Sequence, residues 1–422
     1  MRKKPELLAP AGDMEKLKMA VLYGADAVYL GGEFSLRARS GNFSADELAE
    51  AVDYAHSHGV KVYLTANIYA AEGQMDGLRD WLVRAAAVGV DAFIISDPGV
   101  FALAGECAPQ VARHISTQAS CTNSSAVRFW QQQGAERVIL AREVTLAECG
   151  EIAQKTDAEL EIFIHGAMCV SYSGRCLLSS FLTQRSGNQG DCAQPCRWQY
   201  RLEEAKRPGA YMPIEEDEHG TYIMNSKDLC LIELLPEILQ AGVSSLKIEG
   251  RMKSAYYVAN VTRIYRQALD ECWRAWQAAE APTAEACRRE YRFDPEWAEE
   301  LRRVSHRQYF TGFALGQPNA GGFVYDSSYG CRGYDFAGIV LAYDAELQRV
   351  QIEQRNHLAL GDAVEIITPH DGVKHLTLDA IWSADGEPRE KLPHPQEIAW
   401  LACDVPLEAG SILRRQNRLD ME

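Results

Sequence analysis

The sequence predicts an α/β fold: a (β/α)8 TIM-like barrel with an inserted cysteine-rich loop, followed by a small C-terminal antiparallel β-barrel. Three observations lead to this prediction. A short αβ sequence pattern recurs along the chain as far as Ile248. Eight candidate strands alternate with helical segments. After Gly333 the sequence changes to short candidate strands separated by turn residues.

In each repeat of this αβ pattern a helical stretch ends at glycine, one or two polar residues follow, and an apolar run begins. Glycine just past a helix end supplies the left-handed cap, and short β-branched runs are typical of buried parallel strands. Each repeat therefore predicts one αβ unit. The repeats are residues 24–30, 59–64, 89–95, 134–140 and 242–248.

Three further apolar runs, at residues 6–10, 112–116 and 161–165, bring the count of candidate strands to eight. Eight strands that alternate with helices are the count of a (β/α)8 barrel. A doubly wound open sheet is the competing architecture. That alternative lacks the Gly-x-Gly-x-x-Gly turn after the first strand, so dinucleotide binding has no support.

The strand at 161–165 leads into a long excursion, residues 166–222, that interrupts the regular spacing of the barrel. It carries four clustered cysteines, Cys169, Cys176, Cys192 and Cys196. Clustered thiols predict a metal site, because thiolates are soft ligands for zinc and for iron–sulfur clusters. Only Cys192 and Cys196 have the close spacing of structural zinc sites, so spacing alone leaves both metals open.

The remaining cysteines are scattered singly, as small core residues usually are. No apolar signal segment precedes the charged start of the chain, and no run approaches the roughly 20 apolar residues of a membrane span. We therefore expect a cytoplasmic protein without a membrane partner and without structural disulfides. The formal net charge of −16 argues against general affinity for nucleic acids, so any such contact must be local.

The pattern divides the chain into three parts. Residues 1–276 form the predicted barrel, which is the catalytic domain and includes the cysteine-rich insertion. Residues 277–332 are predicted to be a linker with short helices. Residues 333–422 form the predicted β-barrel domain, with strand-like runs at 336–342, 349–353, 363–368 and 376–381.

Three residues are candidates for catalysis at the mouth of the predicted barrel. Period-two alternation after Ser245 places Lys247 and Glu249 on one side of their strand, facing the barrel interior. The two side chains either form buried ion pairs or take part in catalysis. His165 ends its strand four residues before Cys169, and is either an acid or base or a hydrogen-bonded wall residue.

Four segments resemble the collagenase-like peptidases, the unknown-type peptidase family thirty-two. The segment at 161–179 matches the family signature, and residues 5–12 and 245–251 add to the likeness. The fourth segment, 216–229, resembles the branch of tRNA hydroxylation proteins within that family. The resemblance spans at least residues 5–270.

What this resemblance implies is oxygen-independent synthesis of 5-hydroxyuridine at the wobble position of tRNA, with prephenate as the hydroxyl source. Relatives carry a [4Fe–4S] cluster on cysteines that match Cys169, Cys176, Cys192 and Cys196. The anticodon loop of tRNA is then the expected partner. Some relatives work as paired paralogues, so a paralogous partner subunit is a further expectation.

Within this context we expect Arg37, Arg39 and Arg251 to hold the substrate, because guanidinium groups bind carboxylates through paired hydrogen bonds. Solvated or ion-paired loop arginines are the alternative. Three more residues follow predicted strands, as substrate contacts or as loop-stabilising groups. They are Gln118, Asn225 and Lys227.

Other functions stay open at the level of sequence. Relatives hydroxylate ribosomal RNA or a quinone precursor, the family label suggests a peptidase, and a non-enzymatic RNA-binding or assembly protein is conceivable. Proteolysis has little support, since the chain has neither a Gly-x-Ser-x-Gly elbow nor a His-Glu-x-x-His helix. A pair of Cys169 and His165 could attack a peptide bond only if no metal held the thiol.

Overall fold

The structure is a computed structural model. It describes residues 3–35, 42–169, 178–183, 185, 193, 195, 216–217, 220–221, 227–317 and 333–417. Within these ranges no helix is long and apolar enough to cross a membrane.

The first part of the chain forms twelve strands within the ranges just given. The first seven are β1 Glu6–Ala11, β2 Ala27–Gly31, β3 Lys61–Ala66, β4 Ala92–Ile95, β5 Ala112–Ile115, β6 Arg137–Ile139 and β7 Glu159–Ala167. The next five are β8 Glu216–Asp217, β9 Gly220–Thr221, β10 Asp228–Cys230, β11 Ser245–Ile248 and β12 Tyr309–Phe310.

Eight of these strands form a closed parallel barrel. Strands β1 to β7 pair in chain order, and β11 completes the barrel by pairing with both β7 and β1. Every one of the eight strands predicted from sequence is present, so the barrel prediction is confirmed. Strand β10 pairs antiparallel with the end of β7, and β12 pairs parallel with β10.

Eleven α-helices are described, most of them around the barrel. They are α1 Met14–Leu22, α2 Ala45–Ser57, α3 Met75–Ala87, α4 Pro98–Cys107, α5 Ser124–Gln132, α6 Leu146–Lys155, α7 Leu178–Thr183, α8 Leu235–Ala241, α9 Ala255–Ala278, α10 Ala284–Glu290 and α11 Pro295–Arg302. Local sequence sets their ends. Ser44 and Thr145 begin α2 and α6 with capping boxes, and Gly242 ends α8 in the left-handed conformation, as predicted.

The C-terminal part is an antiparallel β domain. Its strands are β13 Tyr334–Asp344, β14 Arg349–Gln354, β15 Leu358–Ala359, β16 Ala363–Ile367, β17 Val373–Thr377, β18 Ile381–Ser383, β19 Pro388–Arg389, β20 Lys391–Leu392, β21 Ile398–Ala402 and β22 Ile412–Gln416. Eight of them form one sheet in the order β17-β16-β22-β13-β14-β21-β18-β19. Buried and half-buried residues alternate along β14 and β21, as expected for strands with one face on a core.

A buried cluster of charges joins the β domain to the barrel domain. Arg414 on β22 is fully buried and makes two hydrogen bonds to Glu300 on α11, at 2.6 and 2.8 Å. The same guanidinium reaches Glu365 of the β domain at 2.6 Å. The Tyr23 hydroxyl, on the barrel side, donates to the carbonyl of Ile367 at 2.9 Å. These contacts hold the two domains together over a shared core.

A second buried network lies inside the barrel. The guanidinium of Arg137 contacts Glu6 at 2.6 Å and Glu161 at 3.3 Å, and Lys247 contacts Glu161 at 3.0 Å. The Tyr63 hydroxyl donates to the second oxygen of Glu6 at 2.6 Å. Burial opposes the charge on Arg137, but Glu161 and Glu6 outweigh it and raise the pKa of the guanidinium. The guanidinium also contacts the partly exposed Glu159 at 2.6 Å. Inside the barrel, the charges of Glu6 and Glu161 balance those of Arg137 and Lys247.

The charge balance of this network predicts that a second substitution can partly restore the stability lost by a first one. Arg137→Met leaves Glu6 and Glu161 against one ammonium in the barrel interior, besides the partly exposed Glu159, and should lower the free energy of unfolding by about 3–5 kcal/mol. Adding Glu6→Gln restores neutrality and should recover part of that loss. Urea unfolding of the single and double variants measures both effects.

The matched control is Arg79→Met, because Arg79 forms an exposed ion pair with Glu106. That substitution should change the free energy of unfolding by less than about 1 kcal/mol. A double variant no more stable than Arg137→Met alone would contradict the charge-balance account.

Candidate active site

The carboxyl ends of the barrel strands form the face where TIM barrels carry their chemistry. We call this face the barrel mouth and define it by the polar side chains at or just beyond the strand ends. These are Thr65, Asn67, Ser96, Ser116, Gln118, Arg142, Glu249 and Arg251.

A cleft of about 390 Å³ lies at the opposite end of the barrel, lined by Lys61, Arg113 and His114 among others. It is formed by residues at the amino ends of the strands and by the loops before them. In TIM barrels that end serves stability and not catalysis. We therefore place the candidate site at the barrel mouth.

Arg251, which the sequence predicts to bind substrate, is buried in the wall of the mouth. Its Nη1 donates to the Thr65 hydroxyl at 3.1 Å. Two glycines make room for it. A Cβ at Gly31 would lie 2.2 Å from this Nη1, and a Cβ at Gly12 would lie 2.2 Å from the Arg251 carbonyl oxygen. The Arg251 backbone therefore packs against the end of β1, and its guanidinium lies against the ends of β2 and β3.

Gln118, another predicted substrate-binding residue, has its amide fixed by neighbouring strands. Its Oε1 accepts hydrogen bonds from Asn67 Nδ2 at 2.7 Å, Ser96 Oγ at 3.2 Å and Ser116 Oγ at 3.3 Å. The Tyr69 hydroxyl donates to the Gln118 carbonyl at 2.9 Å. The side chain is buried, and its Nε2 has no hydrogen-bond acceptor in the part of the chain that the structure describes.

Glu249 lies at the mouth beside an arginine that sequence reasoning missed. Arg142 Nη2 is 3.4 Å from Glu249 Oε2, and the guanidinium stacks 3.9 Å from the centre of the Phe163 ring. Its position in the sequence could have identified it, because Arg142 follows β6 by three residues and so belongs to a βα loop. Asn67 and Ser96 could have been found in the same way.

Lys247 faces the barrel interior, as period-two alternation predicted, but its partner is Glu161 and not Glu249. Its Nζ also lies 4.3 Å from the centre of the Tyr29 ring. Burial lowers the pKa of Lys247 below its ordinary value, and the Glu161 carboxylate counteracts part of that effect. The geometry favours the ion-pair alternative for Lys247, as part of the network below the mouth.

His165 does not lie among the mouth residues. Its Nδ1 is 3.4 Å from the Tyr265 hydroxyl of α9, and its Nε2 is 3.4 Å from the Tyr309 hydroxyl of β12. Burial lowers the pKa of His165 to about 3, with a smaller opposing effect from Asp228. A neutral imidazole enclosed by tyrosines fits the wall-residue alternative better than the role of an acid or base.

The predicted metal site is described only in part. Cys169 lies two residues beyond β7 and is the one exposed cysteine among the eight that the structure describes. The others are buried or half-buried, and burial raises the thiol pKa of Cys121 to about 11 and of Cys149 to about 12. An exposed thiol beside the mouth fits a metal ligand.

Several predicted residues lie outside the described ranges. They are Arg37, Arg39, Cys176, Cys192, Cys196 and Asn225. Lys227 is described and is half-buried. It lies one residue before β10, which pairs with β7 so that Asp228 lies opposite Ala167. No group of three or more potential metal ligands occurs among the residues described.

A TIM-like barrel joined to an antiparallel β domain, with arginine and amide groups at the barrel mouth, agrees with the family resemblance of the sequence segments. The chain belongs to Peptidase family U32. The profile of that family matches residues 12–322, and the profile of the Peptidase family U32 C-terminal domain matches residues 332–414. The family prediction is confirmed.

The chain is similar over nearly its full length to two curated proteins. It is 41% identical over 415 residues to tRNA hydroxylation protein P1 of Bacillus subtilis (strain 168), covering 98% of this chain and 95% of that protein. It is 36% identical over 457 residues to tRNA hydroxylation protein P of Escherichia coli (strain K12), covering 98% and 97%.

A third relative is the 23S rRNA 5-hydroxycytidine C2501 synthase of Escherichia coli (strain K12). The identity is 39% over 266 residues, which cover 63% of this chain and 39% of that protein. This similarity therefore covers only part of this chain and part of that protein.

The environment of His165 predicts a pH effect on stability. The imidazole has a pKa of about 3 in the folded protein and about 6.5 in the unfolded chain, so only the unfolded chain binds its proton between those values. Stability is therefore lost as the pH falls below about 6.5. His165→Phe should remove up to about 1.4 kcal/mol per pH unit of that loss.

Urea unfolding of the wild type and His165→Phe between pH 7.5 and 4.5 measures this difference. Burial also lowers the pKa values of His114 and His306, so the variant should keep a smaller slope of its own. Equal slopes for the two proteins would contradict the buried, neutral state of His165.

Proposed function

We propose that this protein hydroxylates the wobble uridine of tRNA at C5 without molecular oxygen, with prephenate as the hydroxyl donor. The observation that carries the proposal is the 41% identity to tRNA hydroxylation protein P1 over 98% of the chain. A likeness of that extent includes both the barrel and the β domain.

The relatives that match nearly the full length of the chain favour tRNA as the substrate. The tRNA hydroxylation proteins P1 of Bacillus subtilis and P of Escherichia coli align with 98% of it. The relative that synthesises 5-hydroxycytidine in 23S rRNA aligns with 63%, a share close to the 64% of tRNA hydroxylation protein P2 of Bacillus subtilis. If the β domain helps to recognise the RNA, the full-length relatives are the better guide to which RNA is bound.

The barrel mouth has the chemistry that a dicarboxylate such as prephenate requires. Arg251 is held in the wall by Thr65, and Arg142 lies at the end of β6 beside Glu249. A guanidinium can form two parallel hydrogen bonds with a carboxylate. Arg251 is our candidate to bind one carboxylate of the donor.

We assign a [4Fe–4S] cluster to Cys169, Cys176, Cys192 and Cys196. The exposure of the Cys169 thiol next to the mouth supports the assignment, since a cluster ligand must be accessible to its iron. Such a cluster would supply electron transfer or would organise the substrate loop. His165 is not assigned a part in the chemistry, because it is buried, neutral and turned away from the mouth.

Proteolysis gains no support from the geometry in spite of the family label. A cysteine nucleophile needs a base within hydrogen-bonding reach. The His165 ring, which was the candidate base for Cys169, is enclosed by the hydroxyls of Tyr265 and Tyr309.

Expression of the chain in a bacterial strain that cannot make 5-hydroxyuridine tests the proposal. The wild-type chain should restore 5-hydroxyuridine in tRNA from cells grown without oxygen, as measured by mass spectrometry of nucleosides. Cys169→Ala and the same change at the other three clustered cysteines should each abolish both the product and the protein-bound iron. The loss follows because each thiolate holds one iron of the cluster.

Cys107→Ala is the matched control, because Cys107 is half-buried in α4 and away from the mouth. It should keep both iron and activity. Product formation that survives loss of iron would exclude the cluster from the reaction. Cleavage of casein that Cys169→Ala abolishes would support the peptidase instead.

Arg251→Lys tests the binding of the donor. Lysine keeps the positive charge but cannot form the paired hydrogen bonds of a guanidinium. In anaerobic assays with unmodified tRNA, the KM for prephenate should rise at least about tenfold. Arg79→Lys, an exposed substitution on α3, is the control and should leave the KM as it is. An unchanged KM in Arg251→Lys would remove Arg251 from the donor site.

A further inference from the structure

The amide of Gln118 is oriented by its surroundings. Oε1 accepts hydrogen bonds from Asn67, Ser96 and Ser116, and the shortest of these joins it to Asn67 Nδ2 at 2.7 Å. With Asn67 Nδ2 facing it at that distance, Oε1 is the atom bound in this network, and Nε2 is the atom of the amide that the three neighbours do not engage.

Nε2 is a buried donor without an acceptor among the residues that the structure describes. The residue is only 4% exposed. Leaving such a donor unpaired costs free energy, and each such group calls for an explanation. A ligand that supplies a hydrogen-bond acceptor would provide one.

The amide also lies at the site where substrate is expected. Asn67, Ser96 and Gln118 follow three successive barrel strands, β3, β4 and β5, so their hydrogen bonds bridge the rim of the mouth. Thr65, which holds Arg251, lies two residues before Asn67 and therefore on the same side of the chain. Both groups are thus connected to the end of β3, Arg251 through Thr65 and Gln118 through Asn67.

We propose that Gln118 is the residue that selects uracil, by donating a hydrogen bond from Nε2 to O4 of the target base. This inference rests on the proposed function. Uracil carries an acceptor, O4, on the carbon next to C5, whereas cytosine carries a donor, the N4 amino group, at the same place. A donor held in one orientation accepts the first base and rejects the second.

Two substitutions separate this role from a structural one. Gln118→Glu keeps an oxygen for Asn67, Ser96 and Ser116 and replaces the presented NH2 with an acceptor. Gln118→Ala removes both halves of the amide. Gln132→Glu, an exposed position on α5, is the matched control for the change in charge.

The measurement is kcat/KM on two anticodon stem-loop RNAs that differ only in uridine or cytidine at the wobble position. The wild type should prefer uridine. The uridine-to-cytidine preference should fall at least about tenfold in Gln118→Ala, and further in Gln118→Glu. Gln132→Glu should keep the wild-type preference. Melting temperatures of all variants account for any loss of folded protein.

The readout is a ratio, so a variant that only folds less well lowers both rates and leaves the preference unchanged. An unchanged preference in both Gln118 variants would overturn the inference. A rise in the KM for prephenate with an unchanged preference would also overturn it, and would assign Nε2 to the donor carboxylate. A wild-type chain that prefers cytidine overturns the inference but leaves RNA hydroxylation standing. A wild type inactive on both RNAs overturns the proposed function and this inference with it.

Discussion

The closure of the barrel is the constraint on which the rest of the structure depends. Strand β11 must pair with β7 and β1, although the chain between β7 and β11 makes a long excursion. The buried charges lie at this seam: Glu6 on β1, Arg137 on β6, Glu161 on β7 and Lys247 on β11. A slip of β11 by one residue would turn Lys247 towards the helices and leave Arg137 alone to compensate both Glu6 and Glu161. The network thereby favours one register for a pairing that local sequence does not set.

The same register positions the barrel mouth. Once Lys247 is paired, the chain continues so that the Glu249 amide donates to the His165 carbonyl at 2.9 Å. The Tyr29 hydroxyl donates to the Ile248 carbonyl at 3.0 Å. Arg251 then reaches Thr65 across the ends of three strands. The arginine proposed to bind substrate is therefore placed by the closure of the barrel and not by its own loop alone.

The fold could be predicted from the sequence because its signals are local, whereas most of the site could not. Cap glycines followed by short apolar runs located five of the barrel strands, apolar runs alone located the other three, and alternation located Lys247. Its partner Glu161 is 86 residues away, and no local pattern connects the two. His165 shows a different limit. Alternation would place it with Glu161, but the pairing of β7 with β11 is irregular after Lys247, where Ile248 lies opposite His165, and the imidazole contacts α9 instead.

Two kinds of buried polar group distinguish structure from function in this barrel. The charges of Glu6, Arg137, Glu161 and Lys247 compensate one another, so their environment is complete without a ligand. Gln118 differs, because three neighbours donate to its oxygen while its buried nitrogen has no acceptor among the residues that the structure describes. Neighbours that served only to hold the loop could satisfy both atoms. An amide bound at one end and without an acceptor at the other is the arrangement expected of a group whose second partner is the substrate.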